Sequence, residues 1–316
     1  MQHPIGSRIR QYLLLIRLPN VFTAPPDIAV GYFAAVGVAG IIDILHLAAL
    51  MTASGLLYSA GIIFNDYFDI EIDKKERPFR PLPSGSVSKR RAMAIALVAF
   101  AIANAISFAI GFVCFIVSIA LSATIIAYDY RLKHSAVAGP FAMGGARFLN
   151  VILGASPGIA TTAIGATVPL LTGPDAQHWA VVFASAASLF AYVVAITILS
   201  KREVGGIEKT PSLIPFFIVF AIIASIAAMG LLLLKLQWVF LINLSLFTSI
   251  MVVTFKRYII QDSPQSSIQK AIRNMVISII ILDSVFVSGI AGLTYGLATL
   301  LFVIPALLLA KRLYVT

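Results

Sequence analysis

The sequence predicts an all-α, polytopic transmembrane helical bundle of about ten spans with both termini in the cytoplasm. Three observations lead there. Of 316 residues, 60% are hydrophobic and only 11% charged, with a mean hydropathy of +0.98, more apolar surface than a soluble domain of this size can hide. Apolar runs of roughly 17 to 25 residues, the length that crosses ~30 Å of hydrocarbon, recur along the whole chain. The basic residues gather in alternate loops.

Taken in order, residues 5–18, "IGSRIRQYLLLIRL", read as an interfacial amphipathic helix leading into the first span. Arg17 and Pro19 interrupt this run and no small-residue cleavage site follows, so a signal peptide is not expected. Spans are expected near 19–39, 46–65, 91–109, 111–128, 136–158, 179–199, 212–234, 236–255, 274–292 and 294–310. Adjoining pairs meet at Gly111, Lys235 and Gly292, which demands tight hairpins. The longest stretches between spans are 66–90 and 256–273 on one side and 159–178 on the other. The side that carries the N-terminus holds 21 of the 23 Lys and Arg residues, and the positive-inside rule makes it cytoplasmic. The formal charge of +10 therefore reads as membrane topology, not as a nucleic-acid surface. A lone Cys114 in an apolar run excludes an intramolecular disulfide and reads as a small core residue. With no low-complexity linker, residues 1–316 are expected to form one integral-membrane domain.

One cytoplasmic stretch carries chemistry: "FNDYFDIEIDKKERPFRPLPSG", residues 64–85. Asp66, Asp69 and Asp73 are spaced i, i+3, i+7, which on a continuing helix puts them within roughly 60° of one another, with Asn65 one step round the turn. Bare carboxylates crowded in this way repel, and a cation among them relieves the repulsion. Mg²⁺ suits such a site, because it takes oxygen ligands and is commonly held by one or two carboxylates plus the phosphates of a substrate. The alternative is a solvated helix end balanced by Lys74 and Lys75. Arg77 and Arg80, each followed by proline, sit on a stiffened extended backbone. There they can act as a phosphate clamp, since guanidinium forks match phosphoryl oxygens. The alternative for them is topology alone.

The run "NDYFDIEIDKKERPFRPLPSG" resembles the first aspartate-rich motif of the UbiA superfamily of intramembrane prenyltransferases, N-D-x-x-D-x-x-x-D followed by R-P-x-P-S-G. Its short spacing from Asp73 to Arg80 is most similar to members that use long polyprenyl groups. "RLPNVFTAPPD", which contains Asn20, resembles the family's Asn-containing start, and "YDYRLKH" its Y-x-x-x-L-K turn after the fourth span. The resemblance implies a bundle of the UbiA type, a nine-helix family core plus one. It also implies that Asn65, Asp66, Asp69 and Asp73 hold a Mg²⁺-diphosphate, with Tyr128 and Lys133 reaching it from the next cytoplasmic loop. The implied reaction is loss of diphosphate from an allylic donor of the geranylgeranyl or farnesyl class and capture of the prenyl cation by a lipophilic or aromatic acceptor. Lipid, quinone-like or secondary-metabolite biosynthesis is the setting. The implied partners are the prenyl diphosphate, the acceptor and the lipid bilayer, with no nucleic acid.

The second aspartate-rich motif of the family is altered. After the sixth span stands "LSKREVGGIEKTPS", with Glu203 and Glu208 but no aspartate. Five residues are about 140° of helix, so these two share a face only if Gly205 and Gly206 break it. Glu203 is a candidate ligand or a partner of Lys201 or Arg202. This departure, the tenth span ending "LLLAKRLYVT", and "GARFLNVILG" together resemble the EboC-like branch of the superfamily, whose members are bacterial, and so imply a bacterial inner membrane with the active site facing the cytoplasm. Arg147 and Asn150, i and i+3 inside the fifth span, are candidate substrate-binding residues, because an ionisable group in a span marks function by default. Pairing of Arg147 with a buried acid competes with that role. Asp27 and Asp283, lone acids within spans, read as packing partners. His3, His46, His134 and His178 form no metal-spaced cluster. An intact first motif beside an altered second one also admits a non-catalytic binder or carrier of a prenyl diphosphate or terpenoid metabolite.

Overall fold

The helices begin and end where the local chemistry dictates. A computed structural model of the chain describes residues 5–36, 42–163, 174–204, 213–232, 238–257 and 265–313. Every regular element in it is helical: α1 (Ile5–Leu15), α2 (Leu18–Val21), α3 (Pro25–Val36), α4 (Ile44–Phe68), α5 (Ile70–Glu76), α6 (Lys89–Ile110), α7 (Phe112–Tyr130), α8 (Ala138–Ala163), α9 (Pro174–Val204), α10 (Ile214–Leu232), α11 (Trp238–Phe255), α12 (Gln265–Ala291), α13 (Leu293–Leu300) and α14 (Val303–Leu313). A 3₁₀ turn, Leu132–His134, joins α7 to α8. Asp43 caps α4 by accepting from the backbone N–H groups of Leu45 (2.9 Å) and His46 (3.0 Å), satisfying two of the four donors a helix start leaves open. Ser88 does the same for α6 through the N–H of Arg91. The turn from α12 to α13 needs Gly292, whose φ of 86° lies in the left-handed region.

Among the described residues eight helices are long and apolar enough to cross a membrane: α4, α6, α7, α9 over Gln177–Lys201, α10, α11, α12 over Ser267–Ala291, and the α13–α14 stretch Leu293–Leu313. Arg8–Leu15 and Leu18–Val36 meet at 45° and make a ninth if the pair is one broken span. Of the ten expected spans, the fifth corresponds to α8. Its 26 residues reach about 39 Å by helical rise, but Arg147, Asn150 and its glycines make it less apolar than the others. The expected interfacial helix over 5–18 ends at Leu15. Arg17, the one non-glycine residue with positive φ among those described, turns the chain at φ 46°, ψ 54°. The expected hairpin at Lys235, much of the 159–178 loop, and Glu208 lie outside the described residues.

Two apolar clusters meet in the middle of the bundle. One joins α3, α9, α11 and α12 through Phe33, Leu189, Tyr192, Phe247 and Phe286. The other joins α4, α6 and α7 through Leu57, Ile63, Phe100 and Leu121. Large side chains such as Val98, Phe108, Phe217 and Leu231 point outward and are exposed, as suits a helix whose outer solvent is hydrocarbon. Between the clusters α3 and α8 cross backbone to backbone. A Cβ on Gly31 would stand 1.9 Å from the carbonyl oxygen of Val151, and one on Gly154 2.2 Å from that of Ile28. Small residues are what permits so close an approach in a membrane, and this crossing fixes α3 against the polar face of α8.

Candidate functional site

The aspartate stretch is built as a helix with a hinge. α4 stops at Phe68, Asp69 sits at φ −91°, ψ 7°, and α5 resumes at Ile70. The helix therefore continues past the expected span end but breaks at Asp69, so the condition under which all three carboxylates share one face is only partly met. The direction is nevertheless kept, since the N–H of Asp69 bonds the carbonyl of Asn65 and the N–H of Asp73 that of Asp69. Asp66 and Asp73, both buried, come to one side and share a cation: Arg80 Nη1 lies 2.7 Å from Asp73 Oδ2 and 3.4 Å from Asp66 Oδ1. Asp69 faces elsewhere, toward the 3₁₀ turn, where Lys133 Nζ stands 2.6 Å from its Oδ1 and 3.3 Å from Asn65 Oδ1. Burial pushes the Arg80 guanidinium below its ordinary value and Arg17 nearby adds to this, while Asp66 and Asp73 pull it back.

Arg17 completes the set, its Nη2 2.5 Å from Asp66 Oδ1. Its left-handed backbone costs on the order of 1 kcal/mol or more, the kind of strain that persists where surrounding contacts over-determine it. The Arg77 side chain, by contrast, makes no ion pair with a described residue, although Arg77 caps α5. The proline-stiffened loop thus commits Arg80 to the carboxylates and leaves the Arg77 guanidinium at liberty.

From this polar mouth a cavity of about 380 Å³ runs into the bundle. Arg17, Asn20, Asn65, Tyr128 and Asp129 line it near the mouth, and Leu57, Ile125, Val193, Ile196, Ile272 and Ile279 give it apolar walls. Arg147 and Asn150 line it too. Arg147 borders the cavity and is paired with a buried acid. Its Nη1 donates to Asp27 Oδ2 (3.0 Å) and to the Thr23 carbonyl (2.6 Å), and its Nη2 to Thr23 Oγ1 (2.7 Å). Asn150 Nδ2 donates to Asp27 Oδ2 (2.8 Å) and the Ala24 carbonyl (2.9 Å). Asp27 is therefore a packing partner as expected, and Asp283 lies beside it on α12. The Arg147 guanidinium also stacks on Tyr58, 5.2 Å from the ring centroid. The backbone of Glu203 lies in the last turn of α9, and its side chain lies outside the described set. Ser200, three residues earlier, lines the cavity, so the altered second motif starts at the mouth.

The donor set fits a hard cation. All the candidate ligands at the mouth are oxygens, from Asp66, Asp69, Asp73 and Asn65. Among the described residues no three His, Cys, Asp or Glu side chains close up into a protein-only metal cage. Oxygen ligands of this kind suit Mg²⁺, which takes few protein ligands and completes its shell with phosphate and water. Sequence reasoning missed two members of the site, Arg17 and Asp129. Arg17 read as topology and Asp129 as an interior letter of "YDYRLKH", and only the docking of α1, α4 and α7 brings them to the cavity.

The UbiA prenyltransferase family profile matches residues 26–280. The chain belongs to the UbiA prenyltransferase family. Curated relatives in this family include digeranylgeranylglyceryl phosphate synthases. The one from Saccharolobus solfataricus is 28% identical over 150 residues, covering 46% of this chain and 51% of the relative. The one from Methanopyrus kandleri is 34% identical over 131 residues, covering 42% and 47%. The chain thus spans about half the length of the curated relatives it matches. Solved structures share the UbiA fold over nearly their full lengths. A UbiA homolog from Aeropyrum pernix aligns at a TM-score of 0.65 with 16% identity, over 85% of this chain and 96% of that one. A UbiA homolog from Archaeoglobus fulgidus bound to DMAPP and Mg²⁺ aligns at 0.52 with 18% identity, over 87% and 99%.

Proposed function

We propose that the chain acts as one domain, a Mg²⁺-dependent prenyltransferase that moves a polyprenyl group from an allylic diphosphate to a lipophilic acceptor. The observation that carries this is a cavity with apolar walls whose polar lining residues Arg17 and Asn65 bond directly to the aspartate stretch, Arg17 to Asp66 and Asn65 to the Lys133 that pairs with Asp69. One ligand shape matches it, a diphosphate head on an isoprenoid tail. Asp66, Asp69 and Asp73 would hold Mg²⁺, which when bound neutralises charge on the departing diphosphate. Lys133 and Arg77 add positive charge to the same oxygens. Tyr128 and the apolar walls keep water from the allylic carbon. Arg147 and Asn150, held by Asp27, form the polar floor against which the acceptor is oriented.

The product named for the archaeal relatives, a glyceryl phosphate with two geranylgeranyl groups, supports a donor of the geranylgeranyl class and an acceptor hydroxyl on a lipid. A farnesyl donor or an aromatic acceptor remains within the same chemistry. Placement in the EboC-like branch rests on the altered second motif and the extra C-terminal helix. The bacterial inner membrane rests on that placement, whereas the relatives named above are archaeal. The cytoplasmic mouth rests on the distribution of Lys and Arg.

The test is release of diphosphate from geranylgeranyl diphosphate by the purified chain, with and without Mg²⁺, in the presence of hydroxyl-bearing lipid acceptors. Asp66→Ala and Asp69→Ala are each expected to lower release by about a hundredfold or more, the scale of removing one preorganised charge-stabilising group. The altered second motif favours one other reading, a binder that holds the prenyl diphosphate without turning it over. Mg²⁺-dependent binding with release at background across all acceptors would establish that reading and remove the enzyme.

A further inference from the structure

Asp129 is the carboxylate at the mouth that the described structure leaves without a partner. It sits one residue before the end of α7, is 3% exposed, lines the cavity, and makes no hydrogen bond or ion pair with a described residue. Each neighbouring acid is matched: Asp66 by Arg17 and Arg80, Asp73 by Arg80, Asp69 by Lys133. The charges that surround Asp129 are those of the site itself, Lys133, Asp69, Arg17 and Asp66. Four carboxylates therefore face three cations, and the fourth is the one that lines the cavity.

An ionised carboxylate buried with no donor is costly, and beside a diphosphate it is repulsive as well. A divalent cation shared between the two turns both terms favourable. The chain also has a place for such a ligand, because the segment after α9, where the sequence resembles an altered second motif, carries no aspartate. We propose that Asp129 supplies that ligand, binding the cation of the Mg²⁺-diphosphate from the cavity wall beside Asp66 and Asp69. This rests on the prenyl-diphosphate reading above and adds to it a ligand from the end of α7 in place of one from the segment after α9. No bond is made or broken by Asp129. It fixes the metal and, through the metal, the orientation of the diphosphate.

The experiment uses the full chain in detergent and Mn²⁺ as a paramagnetic stand-in. Free Mn²⁺ is followed by electron paramagnetic resonance, with and without geranylgeranyl thiodiphosphate, a slowly reacting donor analogue. Wild type is expected to take up Mn²⁺ with the analogue. Asp129→Asn is expected to weaken that uptake by about tenfold or more, and Asp129→Glu to recover part of it. The Asn variant keeps the shape and removes a buried charge, so its apo form is expected to melt no lower than wild type, which separates a lost ligand from a lost fold. Two results overturn the proposal. If Asp129→Asn binds Mn²⁺ within about twofold of wild type, the residue is no ligand, and a turnover defect in that variant would make it a proton acceptor for the acceptor hydroxyl. If it melts lower and loses Mn²⁺ only in proportion to unfolding, its role is structural. Absence of analogue-dependent Mn²⁺ uptake in wild type is a different failure, since it removes the prenyl-diphosphate reading as a whole.

Discussion

At the scale of single residues, the two proline-flanked arginines separate. Arg80 is three-quarters or more buried by its side chain and holds Asp66 and Asp73 together, whereas the Arg77 side chain has no described acid to pair with. Removing one member of a buried ion pair strands the other, typically at about 3–5 kcal/mol. Arg80→Ala is therefore expected to lower the melting temperature and to weaken diphosphate binding together. Arg77→Ala is expected to raise the KM for the prenyl donor while leaving the melting temperature unchanged. Thermal unfolding beside steady-state kinetics reads both, and equal destabilisation by the two variants would defeat the distinction. The residues legible in the sequence were those whose meaning is local: three aspartates at helical spacing, and arginines locked by the following proline. Arg17 and Asp129 were not legible, because nothing in their immediate neighbours sets them apart. Their role comes from which helix docks beside them. Arg147 and Asn150 were legible as polar letters in an apolar run, but their partners come from elsewhere in the chain: Thr23 from the turn before α3, Asp27 from α3 and Tyr58 from α4.

At the scale of elements, the site depends on how α3 meets α8. The hydrogen bonds from Arg147 and Asn150 reach the carbonyls of Thr23 and Ala24, in the buried turn just before α3, and such reach requires the two backbones to touch. Gly31 and Gly154 make that contact possible, while Gly145 on α8 has nothing within 4 Å of where its Cβ would be. Gly154→Ala forces a methyl group against the Ile28 backbone and is expected to destabilise by about 1–3 kcal/mol or more, as overpacking does. It should also displace the polar floor and lower activity at temperatures where the protein remains folded. Gly145→Ala is the control, expected to be neutral or slightly stabilising because alanine favours helix. Size-exclusion profiles and melting curves in detergent test the pair, and tolerance of Gly154→Ala would show that the crossing can open without loss. Amphipathic and apolar periodicity announced each of these helices, but not their crossing. Glycines in an apolar run look alike until a neighbouring backbone is placed against one of them. The hinge at Asp69 was equally hidden, since the spacing of the acids is the same with or without it.

At the scale of the molecule, the number of crossings decides on which side each end lies, and α8 is the helix on which the count turns. It is long enough to span, yet with Arg147 and Asn150 inside it, it is not among the eight helices apolar enough to count as spans. Their hydrogen bonds to α3 satisfy these groups inside the protein, which is how a polar residue is tolerated at membrane depth. If α8 crosses, eight helical passes separate the loop after α5 from the end of α14, namely α6 to α12 and the α13–α14 stretch, and the two places share a side. If it does not, seven passes separate them and they lie on opposite sides. The distribution of Lys and Arg favours the first arrangement: Lys89 to Arg91 follow that loop, and Lys311 and Arg312 close α14. In a Cys114→Ser background, cysteines placed at Ser86, Leu313 and His46 can be probed with a membrane-impermeant maleimide in intact cells. His46 lies in the first turn of α4, and the helical rise from it to Asp66 puts about 30 Å between it and the aspartate mouth. His46→Cys is expected to label from outside, and Ser86→Cys and Leu313→Cys only after permeabilisation. Labelling of Leu313→Cys in intact cells, with Ser86→Cys still protected, would mean an odd number of crossings between them. The polar floor of the cavity would then have to be rebuilt around a helix that enters and leaves by the same face.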